Sequence, residues 1–268
     1  KVITAEDIKG ANRLMAYQFI QRTVVFEQVH KILADDKIVY YGNVVAMVVA
    51  DTRLHAQEAA AKVKVELEPL PEYMNYLEAV TPDAMRIHES MDNIFSYQPV
   101  LKGDHEHVPE LIENAAYSVE GSFYSSREPH MSIEGDTMQA YYDEDDNLAL
   151  EMNAGLGSSG SDFLSEAYGI SEKKVKDIYK SAVNEFEKCT NTLKELGIPL
   201  EKLRVIENPT GGSFGWAMSA ASYSLVGIAT KVTGMPCALS MSYAEFMAFS
   251  GKRSPCFFNG RLSCDAEG

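Results

Sequence analysis

Apolar and polar positions fall into segments of distinct period along the chain. In 62–71, KVKVELEPLP, Val63, Val65 and Leu67 alternate with Lys64, Glu66 and Glu68. Strict alternation predicts a half-buried strand, and Pro69 and Pro71 end it. Upstream, KIVYYGNVVAMVVAD (37–51) predicts two strands around Gly42 and Asn43, and TRLHAQEAAA (52–61) is rich in helix formers. Strand, strand, helix and strand make a compact α/β unit. Residues 72–115 are mixed and polar and read as a long connection. The stretch 117–152 is β-rich, and DFLSEAYGI (162–170) predicts a short helix. In 183–197, Val183, Phe186, Cys189, Leu193 and Leu196 share one helical face, stopped by Gly197 and Pro199. LRVIE (203–207) is a strand. Ala217 to Thr233 is a small-residue helix ended by Gly234 and Pro236. CALSMSY (237–243) and PCFFNGRLSCD (255–265) are strands.

One segment repeats. YGISEKKVKDI (168–178) and LGIPLEKLRVI (196–206) correspond at an offset of 28 positions, Gly169 to Gly197. Two tandem helix–turn–strand units and chance likeness of two amphipathic segments explain this equally well. The net charge of −15 argues against a partner of nucleic acid or anionic membrane. The cysteines, Cys189, Cys237, Cys256 and Cys264, have no CxxC spacing, so a reducing cytoplasm fits better than a disulfide framework or a zinc site. Lys1 and RLSCDAEG at the far end both read as interrupted strands, which predicts a piece of a longer polypeptide or one subunit of a split one.

GLGSSG (155–160) matches a dinucleotide fingerprint, with Asp177 as the later acid. A Gly/Ser turn is the preferred reading, because the following helix is short and LALEMN holds Glu151 and Asn153 where a buried parallel strand is apolar. His105 and His107 in DHEH, and His130 with Glu134 in REPHMSIEGD, are potential metal ligands. The first pair sits in a polar connection, and Pro129 and Gly135 argue against the helix that the second pair needs. YYDEDDN (141–147) reads as a solvated acidic turn. NPTGGSFGWAMSA (208–220) lies between a strand and a helix, where free N–H groups favour an anion or oxo group. Its glycines let something approach the main chain closely. Phe214 among them is either a core plug or a pocket wall.

Four blocks carry a resemblance: DKIVYYGNVVAMVVADTRLHAQEAAAKVKVELEPLPEY, YSVEGSFYSSREPHMSIEGD, LGIPLEKLRVIENPTGGSFG and TGMPCALSMSYAEFMAFSGKRSP. In this order they resemble the molybdopterin-binding subunit of the molybdenum hydroxylases, the xanthine dehydrogenase and aldehyde oxidoreductase family. The resemblance implies an α+β chain: an α/β hammerhead-like domain over 1–86, a linker over 87–114, and part of a molybdopterin-binding domain over 115–268. Residues 148–176 form an extra segment, since two helix–strand units stand where the family has one. The glutamine that the xanthine-oxidising branch places before the helix approaching molybdenum has Val183 or, by the other alignment, Gly155 as its counterpart.

By the same resemblance, Gly211, Gly212, Ser213, Phe214 and Gly215 contact the molybdenum cofactor, and Phe214 and Met218 line the substrate pocket. No catalytic base or metal ligand is assigned to this chain. Iron–sulfur clusters, and optionally FAD, would sit on absent domains or partner subunits. The implied reaction is oxidation of aldehydes to carboxylic acids, with water as the oxygen source and a glutamate base from elsewhere in the protein. Purine or N-heterocycle hydroxylation, dinucleotide binding through GLGSSG, and a non-catalytic scaffold are the alternatives.

Overall fold

The stretch 117–152, expected to be β-rich, supplies two strands at the centre of the fold. The computed structural model describes residues 1–8, 12, 31–89, 92–94, 100–152, 202–209, 211–212, 214 and 221–268. Strand β1 (Val2–Ile3) pairs antiparallel with β2 (Met47–Val48), Ile3 opposite Met47. Helix α1 (Arg53–Ala60) starts at Thr52, whose hydroxyl accepts from His55 N at 3.2 Å. Two short helices, α2 (Tyr76–Ala79) and α3 (Val108–Glu113), lie within the polar connection. They are followed by β3 (Tyr117–Ser125), β4 (Glu128–Pro129), β5 (Thr137–Tyr142), β6 (Leu148–Met152) and β7 (Leu203–Glu207). Then come α4 (Ala221–Thr233), β8 (Cys237–Ser240), α5 (Tyr243–Phe249), β9 (Lys252–Arg253) and β10 (Cys256–Cys264).

Four strands make one sheet in the order β7-β6-β5-β8. β5 is antiparallel to β6 and β8, and β6 is parallel to β7. The β5–β6 turn is the acidic YYDEDDN stretch, and it is built rather than merely solvated. Asp143 Oδ1 accepts from the backbone of Asp145 and Asn147 at 3.0 and 2.9 Å, and Asp146 takes a φ of 60°. Met138 and Ala140 of β5 face the core with Leu148 and Leu150 of β6, and Ala149 is buried between them. Helix α4 packs on this sheet through Leu225, Val226, Ile228 and Ala229. Thr230, fully buried on α4, donates to the Ala140 carbonyl at 3.0 Å, so its hydroxyl is satisfied where water is excluded. Phe246 of α5 completes the cluster, joined by Ile3, Ile8, Ile32 and Leu33 from the start of the chain.

By contacts the chain groups into two units, Lys1–Phe95 with Met131–Ser250, and Ser96–His130 with Gly251–Gly268. The second contains the β3–β10 ribbon, nine residues per strand, with Gly121 opposite Gly260.

Three expected elements differ. Residues 62–71 pair with no strand among the described residues, and Val65 and Leu67 are exposed. Alternation specifies a face, but a strand also needs a neighbour to complete its hydrogen bonds. Of the two strands expected in 37–51, only Met47–Val48 is paired; Tyr40 and Gly42 form a turn closed by Asn43 N to Tyr40 O at 3.2 Å. The strand expected over 237–243 stops at Ser240, because Ser242 and Glu245 form a capping box that starts α5. The dinucleotide-like GLGSSG, Asp177, Val183, the helix of 183–197 and residues 153–176 lie outside the described residues. Leu148–Met152, the beginning of the expected extra segment, is an inner strand.

Candidate functional site

The register places three segment ends together. Met138 pairs with Met152, and Met152 with Glu207, so the start of β5 lies at the same end of the sheet as the ends of β6 and β7. The chain leaving β7 there runs Asn208, Pro209 and on to the glycines. A polar ladder crosses this end. Gln139 on β5 donates to Glu151 Oε2 on β6 at 2.6 Å, and Asn208 donates to Glu151 Oε1 at 3.0 Å. The Asn208 bond first, and the Gln139 bond second, hold the Glu151 carboxyl below its ordinary value.

Gly211 lies on the other side of Pro209. Its N–H donates to Glu134 Oε2, and a Cβ at position 211 would collide with that same carboxylate oxygen. Glu134 belongs to the tight segment before β5, which opens at Met131 in a left-handed conformation (φ 52°). Ser132 and Asp136, on either side of Glu134, are buried, and the Asp136 carbonyl accepts from Met241 N at 3.2 Å. At Gly212 an added Cβ would come within 2.9 Å of the Phe214 ring. Phe214 has a φ of 49° and is 60% exposed. At this exposure it is not a core plug in this chain. What approaches the glycines is therefore in part the protein itself: a carboxylate at 211 and an aromatic ring at 212.

Of the expected site residues, Gly211, Gly212 and Phe214 are described and adjoin one another; Ser213, Gly215 and Met218 lie outside the described residues. His107 Nδ1 meets Asp104 Oδ1 at 2.7 Å on the surface, and His130 Nδ1 donates to the Gly251 carbonyl at 2.8 Å. Among the described residues, no group of three or more His, Cys, Asp or Glu side chains is arranged to hold a metal ion. Sequence reasoning missed Glu134, Glu151, Gln139 and Asn208 as loop supports. One signal was available: Glu151 is charged on an inner strand that is otherwise apolar, just where a glycine loop leaves the neighbouring strand.

Comparison with known proteins gives the same frame. Residues 1–71 match the family "Aldehyde oxidase and xanthine dehydrogenase, a/b hammerhead domain", and residues 177–268 match "Molybdopterin cofactor-binding domain". The chain thus belongs to the molybdenum hydroxylases, as a region of their molybdopterin-binding large subunit. It is 33% identical over its whole length to the aldehyde oxidoreductase of Megalodesulfovibrio gigas, of which it spans 26%. The solved aldehyde oxidoreductase of Desulfovibrio desulfuricans superposes on the whole chain with a TM-score of 0.79 at 33% identity, again over 26% of that chain. The nicotinate dehydrogenase large molybdopterin subunit of Eubacterium barkeri is 24% identical over 98% of this chain and 55% of its own length. The architecture is the α+β one expected, a hammerhead domain and then the start of a cofactor-binding domain. Among the described residues, no helix is long and apolar enough to cross a membrane.

Proposed function

We propose that the chain supplies one wall of the active site of a molybdenum-dependent hydroxylase that oxidises aldehydes to carboxylic acids. The observation that carries this reading is the glycine loop: main chain without side chains at 211 and 212, exposed beside an outward-facing Phe214, at the strand ends of the sheet. Backbone N–H groups suit an oxo-rich, anionic cofactor, and an apolar ring beside them suits an organic substrate. Residues Gly212 to Gly215 would hold the molybdopterin side of the site, with Gly211 fixing the turn. When bound, the cofactor supplies a metal centre that activates water and accepts two electrons.

The chain's own residues do the rest of what is proposed here. Glycines admit the cofactor to the main chain, and Phe214 excludes water from one side of the substrate. Met218, four positions after Phe214, brings no charge. An apolar wall suits the R group of an aldehyde, whereas a purine gains from a charged hydrogen-bonding partner, worth about 1.5–3 kcal/mol. Identity to aldehyde oxidoreductases over the full chain favours the same substrate class. The likeness to a nicotinate dehydrogenase subunit keeps an N-heterocycle substrate as the second reading. The base, the iron–sulfur clusters and any flavin are assigned to other parts of the protein or its partner subunits. A cytoplasmic setting accords with free thiols at Cys237, Cys256 and Cys264.

The test is kinetic, on the complete loaded protein, with benzaldehyde and hypoxanthine as substrates. The wild type is expected to prefer benzaldehyde, and Met218→Glu to shift the preference roughly ten- to a hundredfold towards hypoxanthine. A wild-type preference for hypoxanthine would end the aldehyde reading.

A further inference from the structure

We propose that Glu134 is a positioning residue for the cofactor-facing loop, acting through the main chain of Gly211. The inference rests on the reading of 208–215 as that loop. Three observations carry it. The carboxylate accepts the Gly211 N–H across 77 positions of sequence, so the contact is made by the fold and not by a local turn. The same oxygen stands in the space that any side chain at 211 would need, so carboxylate and glycine require each other. The segment bearing Glu134 is itself fixed, by the buried Ser132 and Asp136 on its two sides and by the Met241-to-Asp136 backbone bond.

A second carboxylate adds a second hold on the loop. Glu151 holds Asn208, and Glu134 holds Gly211. The loop is thus clamped at two points three residues apart, both tied to the same end of the sheet. Proline 209 between them further limits the main chain, because its ring fixes φ. A chemical consequence follows. The Gly211 N–H faces a carboxylate and is not available to an anionic group, and the negative charge of Glu134 disfavours an oxo or phosphate oxygen at that amide. Donation to the cofactor then falls to amides later in the loop, beginning at Gly212. Glu134 contacts neither cofactor nor substrate in this scheme; it sets where those later amides point.

The experiment uses the full-length protein in cofactor-free and loaded forms, with Glu134→Leu, Glu134→Gln and Glu134→Asp. The first readout is amide hydrogen exchange of the peptide containing Gly211 in the cofactor-free form. Removing the acceptor in Glu134→Leu is expected to speed exchange there about tenfold. Glu134→Gln, whose amide oxygen accepts the same bond, is expected to restore near-wild-type protection. The second readout is molybdenum content per chain, together with kcat and KM after loading. Glu134→Leu is expected to lose molybdenum occupancy or kcat at unchanged melting temperature, and Glu134→Gln to recover most of it. If Glu134→Leu does not fold, Glu134→Asp replaces it: the shortened reach is expected to raise exchange at Gly211 without removing the charge. Unchanged exchange at Gly211 in the leucine variant, or a glutamine variant as impaired as the leucine one, would overturn the proposal. If the wild-type protein takes up no molybdenum, the functional reading fails and the cofactor role with it, while the exchange data still decide whether Glu134 holds the loop.

Discussion

Gly42 has a φ of 94°, and a Cβ there would run into the backbone carbonyl of Ala248. Both facts exclude other residues at this turn. Gly42→Ala is expected to destabilise the protein by at least about 1–3 kcal/mol, read as a lower urea midpoint. Thr230→Val keeps the shape of the side chain but removes the buried hydroxyl that donates to the Ala140 carbonyl. A loss of about 0.5–1.5 kcal/mol is expected by the same measurement. Glu151 adds a pH dependence. Its folded carboxyl lies below the ordinary value of 4.5, so the stability from its bonds to Asn208 and Gln139 is complete above that value. That stability is lost as the pH falls through the lowered folded value. The melting-temperature gap between wild type and Glu151→Leu should therefore be widest near neutrality and close in acid. A gap independent of pH would mean that the ionised carboxylate is not what holds Asn208. At this scale the sequence was only half legible. The glycines at 211 and 212 announced a close approach, but Glu134, the group that makes it at 211, lies 77 positions away, and its local pattern pointed to a pairing with His130 instead.

Elements were legible where their pattern and their partners are both local. The β5–β6 hairpin follows from an alternating segment and an apolar run on the two sides of an acidic turn, and α4 from a run of small and apolar residues closed by Gly234. Residues 62–71 carry the clearest alternation in the chain yet pair with nothing among the described residues. Pairing is a property of two segments, so one segment's period cannot supply it. Helix α5 shows the reverse. Its pattern is short, but Ser242 N donates to Glu245 Oε2 at 2.7 Å and Glu245 N to Ser242 Oγ at 3.2 Å. These bonds begin a helix that delivers Phe246 to the core with no exposed surface. Ser242→Ala is expected to cost about 1 kcal/mol. Phe246→Ala is expected to cost about 3–5 kcal/mol through the cavity it leaves. Equal losses in the two variants would contradict this division between cap and core.

Across the whole molecule, the ribbon of β3 and β10 presents one largely apolar face and one mixed face. Tyr117, Val119, Phe123, Phe258 and Leu262 share one face with Gly121 and Gly260. Ser118, Glu120, Ser122, Asn259, Arg261 and Ser263 share the other with the Tyr124–Phe257 pair at one end, and there Ser122 Oγ donates to Asn259 Oδ1 at 2.8 Å. Val119, Phe123 and Leu262 are 64, 66 and 75% exposed, and a two-stranded ribbon is marginal by itself. Residues 1–268 produced alone are therefore expected to self-associate as concentration rises, by light scattering. Leu262→Lys should suppress this and Ser263→Lys should not. The family was legible in ordered blocks of sequence; the joining of Ile3, Ile8, Ile32 and Leu33 to the core of β5, β6 and α4 was not, because it is made of contacts far apart along the chain. The link between Glu134 and Gly211 has a bearing on recombination. In a chimera with a relative that differs at either position, any crossover between 135 and 210 delivers the acid from one parent and the glycine from the other. Such hybrids inherit both halves intact and still lose the loop, so the two positions have to travel together.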